Sequence, residues 1–139
     1  MITDPACIFC KIVAGQIPST RLYEDADTLA FMDINPANDG HCLVIPKMHA
    51  ATLYEIPADA VAAAIRTTQR VASAVQRALR PEGLNLVQSN GPGAAQSVPH
   101  LHFHILPRRM GDGLLINWGL KPGDMKRIAE VAALIRAAL

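Results

Sequence analysis

Three histidines stand in strict alternation in His100-Leu101-His102-Phe103-His104. On a β-strand, residues two apart point to the same side. The three imidazoles are therefore expected in a row on one face, with Leu101, Phe103 and Ile105 packed on the other. Three chemistries are open to such a row. A polar solvent face is the weakest account, because histidine is uncommon and three in alternation rarely arise by chance. A three-histidine metal site is the second, since imidazole is a common zinc ligand. Nucleophilic and acid–base chemistry is the third, because imidazole titrates near neutral pH and forms covalent intermediates. The preceding stretch, Asn90-Gly-Pro-Gly-Ala-Ala-Gln96-Ser97, offers small residues, backbone N–H groups and short polar side chains. Such a loop lets a phosphate approach the backbone closely. It is not the dinucleotide fingerprint, because the third glycine is missing and a strand follows where that motif needs a helix. Beside three in-line histidines, a phosphate site explains it better than a plain hairpin connection. A second cluster begins at Cys7-Ile8-Phe9-Cys10, two thiols at zinc-ligand spacing without the strand that precedes a redox Cys-x-x-Cys.

The elements that must hold these residues are short and mixed. Residues 7–14 read as one or two helical turns. Thr20–Glu24 and Thr28–Asp33 read as strands joined by the turn Asp25-Ala26-Asp27. Residues 34–40 form a loop, and His41–Pro46 is a strand apolar enough to be buried on both faces. Pro57 opens a long helix to about Arg80, with Val61, Ala64, Ile65, Thr68, Val71, Ala72, Val75 and Leu79 as its apolar stripe. Pro81 and Gly83 end it. Leu84–Ser89 and His100–Arg108 are the fourth and fifth strands. Pro122–Leu139 is a terminal helix with Met125, Ile128, Val131, Ala132 and Ile135 on its inner face. Strands and helices do not alternate regularly, so the order predicts an α+β fold.

The chain has 139 residues, half of them hydrophobic, which suits one domain over 1–139 that folds without disulfides. Lys plus Arg is 13 against 12 for Asp plus Glu, and a net charge of +1 argues against nucleic-acid or polybasic membrane binding. No apolar run of membrane-spanning length occurs. The start Met-Ile-Thr-Asp-Pro lacks a secretory pattern, so a cytoplasmic location is expected. There the close pair of cysteines points to metal rather than a disulfide.

His-Leu-His-Phe-His-Ile-Leu at 100–106 resembles the signature of the histidine-triad (HIT) family. Cys7-Ile-Phe-Cys-Lys-Ile12, Ala30-Phe-Met-Asp-Ile34, Gly40 through His49, Asn90 and Gln96-Ser97 resemble the family in order and spacing, so that residues 7 to about 108 form a motif core. The resemblance implies a five-stranded, mainly antiparallel sheet with one long central helix. It also implies a homodimer that joins two such sheets through the long helix and an edge strand. It implies a hydrolase acting at the α-phosphate of purine nucleoside phosphoramidates or related nucleotidyl compounds. In that scheme His102 is the nucleophile that forms a nucleotidyl-histidine, and His104 holds the phosphate charge. His41 orients the triad, and Asn90, Gln96 and Ser97 donate to phosphate or leaving-group oxygens. Asp33 would bind the ribose, and Ile8, Phe9, Ile12, Phe31 and Ile34 would wall the base pocket. Zinc is implied too, one structural ion per chain on Cys7, Cys10, His49 and His100; Cys42 is expected to be a buried small hydrophobe. The C-terminal extension, 109–139, departs from the phosphoramidase branch and resembles the dinucleoside-polyphosphate branch and many bacterial members more. Arg108 and Arg109 could meet a polyphosphate or be plain surface charge. The alternatives are a dinucleoside polyphosphate hydrolase or a non-catalytic nucleotide-binding regulator.

Overall fold

A computed structural model of the chain describes residues 1–116 and 118–139. The elements run α1 (Ile8–Val13), β1 (Arg21–Glu24), β2 (Thr28–Met32), β3 (Cys42–Pro46), α2 (Ala58–Leu79), β4 (Gly83–Val87), β5 (Phe103–Arg108) and α3 (Met125–Ala138), with a 3-10 turn at Pro92–Ala94. The strands form one sheet in the order β1-β2-β3-β5-β4, and every neighbouring pair is antiparallel. The expected α+β fold with five antiparallel strands is what the chain adopts.

Alternation along the strands decides which side each residue serves. Leu29, Phe31, Leu43 and Ile45 point to the side covered by α1, where they pack with Cys7, Phe9, Cys10 and Ile12. Ala30, Cys42, Val44 and Ile105 point the other way, onto Val71 and Val75 of α2. β3 is thus buried on both faces, as its continuous apolar run requires. Fully burying Leu29, Ile45 or Ile105 contributes roughly 1.5–3 kcal/mol each. The register of β2 on the buried α2 side is also fixed by Thr28, whose hydroxyl meets that of Thr67 at 2.8 Å.

Two expectations need correction. The fifth strand begins at Phe103, not His100. The Leu101 N–H donates to the Ala50 carbonyl at 2.8 Å, in the loop beyond β3, so the backbone leaves the β3–β5 ladder before His102. The terminal helix forms, capped by the Asp124 carboxylate on the Lys126 N–H, but its apolar stripe is not an inner face: no residue of α3 is buried, and Ile128 and Ile135 are 50% and 59% exposed. The described residues between Asp112 and α3 form neither helix nor strand and do not return the helix to the sheet.

Candidate active site and metal centre

A cleft of about 340 Å³ lies on the α1 side of the sheet. Ile8, Phe9 and Ile12 of α1 and Phe31 and Leu43 of the sheet supply apolar wall; Asp33, Ser97, His102 and His104 are among its polar members. Phe9 and Phe31 meet edge to face at 5.5 Å, and Phe9 meets the His102 ring at 5.3 Å and 89°. Such edge-on contacts suit the aromatic quadrupole.

The three in-line histidines do not share one site. His102 and His104 line the cleft, whereas His100 is fully buried and turns toward the cysteines. Hydrogen bonding fixes what each ring can do. His102 Nδ1 lies 2.6 Å from the His100 carbonyl, which can only accept, so Nδ1 carries the proton and Nε2 keeps its lone pair. His41 Nδ1 accepts from the Ala37 N–H at 3.0 Å, so its proton is on Nε2. That Nε2–H reaches His104 Nδ1 at 2.9 Å and lies 3.4 Å from an Asp33 carboxylate oxygen. His104 then carries its own proton on Nε2. The cleft therefore holds one bare imidazole nitrogen, on His102, beside one imidazole N–H donor, on His104. Burial pushes His104 down to about 4 and moves His102 in the same direction, so both rings are neutral at pH 7.

The second cluster brings together Cys7, Cys10, His49 and His100. His100 Nδ1 lies 3.4 Å from Cys7 Sγ, 3.7 Å from Cys10 Sγ and 3.3 Å from His49 Nδ1; Cys10 Sγ and His49 Nδ1 are 3.5 Å apart. A tetrahedron with Zn–S of about 2.3 Å and Zn–N of about 2.05 Å has S–N edges of about 3.6 Å and N–N edges of about 3.35 Å. The donor set fits zinc. His100 Nε2 donates to the Pro46 carbonyl at 2.8 Å, which aims Nδ1 at the cluster as metal-bound imidazoles usually require. Burial holds His100 near 4, in the neutral form a metal ligand needs. Asp33, His41 and His104 also lie close together, but His41 has no free lone pair, so that trio is a hydrogen-bonded relay rather than a metal site.

Ser97 lines the cleft, as does Ile34, although Ile34 is 88% exposed. Asn90 and Gln96 are not among the cleft-lining residues; they brace loops. The Asn90 carboxamide accepts from the Leu53 N–H at 2.7 Å, and Gln96 donates to the Ala51 carbonyl and accepts from the Gly91 N–H. Arg108 is held bidentately by Asp112, and Arg109 donates to the Leu79 carbonyl at the end of α2. Cys42 is fully buried, and burial pushes its thiol up to about 11. Sequence reasoning missed Leu43, Ile17 and Val98 as cleft wall. The signal for Leu43 was its pairing opposite His104, which follows only once β3 and β5 are known to be neighbours.

One antiparallel five-stranded sheet backed by a long helix, with a His-x-His-x-His segment running into the strand beside its β4 edge, defines the histidine-triad class. The chain belongs to the HIT domain family, whose profile matches residues 14–111. It is 39% identical over 129 residues to an adenosine 5'-monophosphoramidase of Saccharomyces cerevisiae, covering 92% of this chain and 79% of that protein. The crystal structure of a HIT family protein from Bacillus subtilis superposes with a TM-score of 0.90 at 39% identity, covering 96% of this chain and 97% of that one. A Zn-bound histidine triad family protein from Mycobacterium smegmatis superposes with a TM-score of 0.75 at 38% identity, covering 96% and 98% of the two chains.

Proposed function

We propose that this protein is a nucleotide hydrolase that cleaves purine nucleoside phosphoramidates or related nucleotidyl compounds at the α-phosphate. The observation that carries the reading is the pair of fixed tautomers in the cleft. The His100 carbonyl holds the His102 proton on Nδ1, leaving the Nε2 lone pair to attack phosphorus. The relay through His41 leaves His104 Nε2–H as a hydrogen-bond donor to the phosphate beside it. Attack by His102 forms an N–P bond and breaks the bond to the leaving group, which departs as a neutral amine because its nitrogen has already taken a proton from solvent. Ser97 donates to the leaving-group or phosphate oxygens, and Asn90 and Gln96 hold the loop in which Ser97 sits. Water then attacks the nucleotidyl-histidine, the N–P bond breaks, and a mononucleotide and neutral His102 result, with one proton of the water released to solvent. Dividing one displacement into two easier ones is the benefit of covalent catalysis. Positioning and charge stabilisation do the rest in phosphoryl transfer. Asp33 accepts from the ribose hydroxyls, and the base lies against Phe9, Phe31 and the isoleucines, where a larger ring buries more apolar surface. Similarity to the yeast phosphoramidase supports the substrate class.

Zinc fits Cys7, Cys10, His49 and His100, and similarity to the Zn-bound mycobacterial protein supports that metal. A bound zinc would tie α1 to the segment that carries His102, with no part in the bond-breaking steps. Phosphoramidates are favoured over dinucleoside polyphosphates because both arginines at the end of β5 are engaged elsewhere, Arg108 by Asp112 and Arg109 by the end of α2. The test is turnover. Adenosine phosphoramidate should release AMP, and α-labelled substrate should leave rapid, acid-sensitive label on the protein but not on His102→Ala. Fast hydrolysis of a dinucleoside tetraphosphate with an inert phosphoramidate would reverse the substrate assignment.

A further inference from the structure

The tautomer of His41 depends on one backbone N–H, that of Ala37, and Ala37 lies in a loop with no regular structure. What holds that loop is therefore part of the site. Within it, the Asn35 N–H donates to Asp33, and the His41 N–H donates to the Asn38 carbonyl. Among the described residues, the hydrogen bonds that tie residues 34–40 to distant parts of the chain all leave from the Asn38 carboxamide. It donates to the Pro107 carbonyl at 2.9 Å and to an Asp112 carboxylate oxygen at 2.9 Å. Asp112 is itself locked. Both its oxygens accept from Arg108, at 2.7 and 2.9 Å, and its side chain is only 9% exposed. Arg108 in turn donates to Asn85 of β4 and to the Leu114 carbonyl. Two sheet strands and the segment after β5 thus converge on a single amide.

We propose that Asn38 and Asp112 are positioning residues for the triad. They clamp the 34–40 loop so that the Ala37 N–H stays on His41 Nδ1, which keeps the proton of His104 on Nε2, where it faces the phosphate. The clamp's effect on turnover rests on the catalytic reading above; its effect on the tautomers does not. Without the clamp, His41 Nδ1 loses its fixed donor, both protonation patterns of the relay become accessible, and one of them presents His104 to the phosphate as an acceptor.

The experiment uses full-length, 15N-labelled protein without substrate. Long-range proton–nitrogen correlations report which imidazole nitrogen carries the proton, and kinetics follow on the same samples. Wild type should show His41 and His104 in the Nε2–H form. Asn38→Ala and, from the other side of the contact, Asp112→Ala should shift both histidines toward mixed tautomers. kcat should fall by about tenfold or more while KM changes little, part of the roughly hundredfold scale of a fully deleted oxyanion donor. Asp112→Asn keeps an acceptor oxygen for Asn38 and should restore the wild-type tautomers. Should one alanine variant fail to fold, the other still tests the contact. Unchanged tautomers in a folded alanine variant would overturn the clamp. Shifted tautomers in a protein whose wild type shows no turnover would support the clamp and overturn the catalytic reading instead.

Discussion

His102 and His104 sit two residues apart on one face, yet their hydrogen bonds give them opposite roles. Removing the bare nitrogen should therefore cost far more than removing the donor. His102→Ala is expected to lower turnover by at least about a thousandfold while still binding a purine mononucleotide. His104→Ala should lose about a hundredfold, the scale of one deleted oxyanion donor. Single-turnover kinetics with labelled substrate separates the two, and full activity in His102→Ala would sink the mechanism. His104 also predicts a pH dependence of stability. Burial, with the neighbouring His102 and His41 adding to it, lowers its value from 6.5 to about 4. Between those values the unfolded chain takes up a proton that the folded chain refuses. This contribution is therefore complete above about pH 6.5 and is lost as pH falls toward 4. Urea midpoints across that range should fall less steeply in His104→Gln than in wild type.

At the scale of elements, α1 is only six residues long, too short to be stable alone. It is held by Phe9, Cys10 and Ile12 in the core and by the Cys/His cluster. About one zinc per chain is expected by elemental analysis. Cys7→Ala with Cys10→Ala should abolish metal binding and lower Tm more than it lowers kcat, because an ion on these four ligands would hold α1 and His100 in place without touching the cleft. Metal-free wild type, purified without chelator, would count against the site. Gly40 supplies a different constraint. Its φ is +89°, and an added Cβ would stand 3.1 Å from Pro107 Cγ and closer still to Leu79. Gly40→Ala should destabilise by about 1–3 kcal/mol, measured by urea unfolding, because the strain falls where β3, β5 and the end of α2 meet.

At the scale of the whole molecule, the sheet ends in two edges, β1 and β4. Leu86 of β4 is 49% exposed and Ile65 of α2 is 43% exposed, and both line one shallow apolar groove. An uncovered strand edge flanked by apolar side chains invites pairing. The expected outcome is a homodimer of about 30 kDa, twice 14.9 kDa, by light scattering. Leu86→Asp should shift it toward monomer. A clean wild-type monomer at micromolar concentration would contradict that assembly. No helix among the described residues is long and apolar enough to cross a membrane.

The division between what the sequence determined and what the tertiary structure decided follows from how far each signal reaches along the chain. Periodicity and turn chemistry are local. They were enough to place β1 to β5 within a few residues and the long helix α2 with its stripe on Val71 and Val75; that Phe9, Phe31 and Asp33 stand near the histidines was implied by the family resemblance alone. Alternation alone put His100, His102 and His104 in a row, and there it failed. The Leu101 N–H leaves the ladder for Ala50, and His100 swings to Cys7 and Cys10, 93 and 90 residues earlier in sequence. Nor could spacing reveal that Asn90 and Gln96 bond to the backbone of residues 51–53, or that Asn38 meets Asp112 across 74 residues. The stripe on α3 reads as an inner face in sequence because amphipathicity shows that a helix has an apolar side, not what covers it. Residue types determined which chemistry the chain could perform; the hydrogen bonds of the folded chain, local at His102 and long-range at His100 and His104, decided which nitrogen of each is free to perform it.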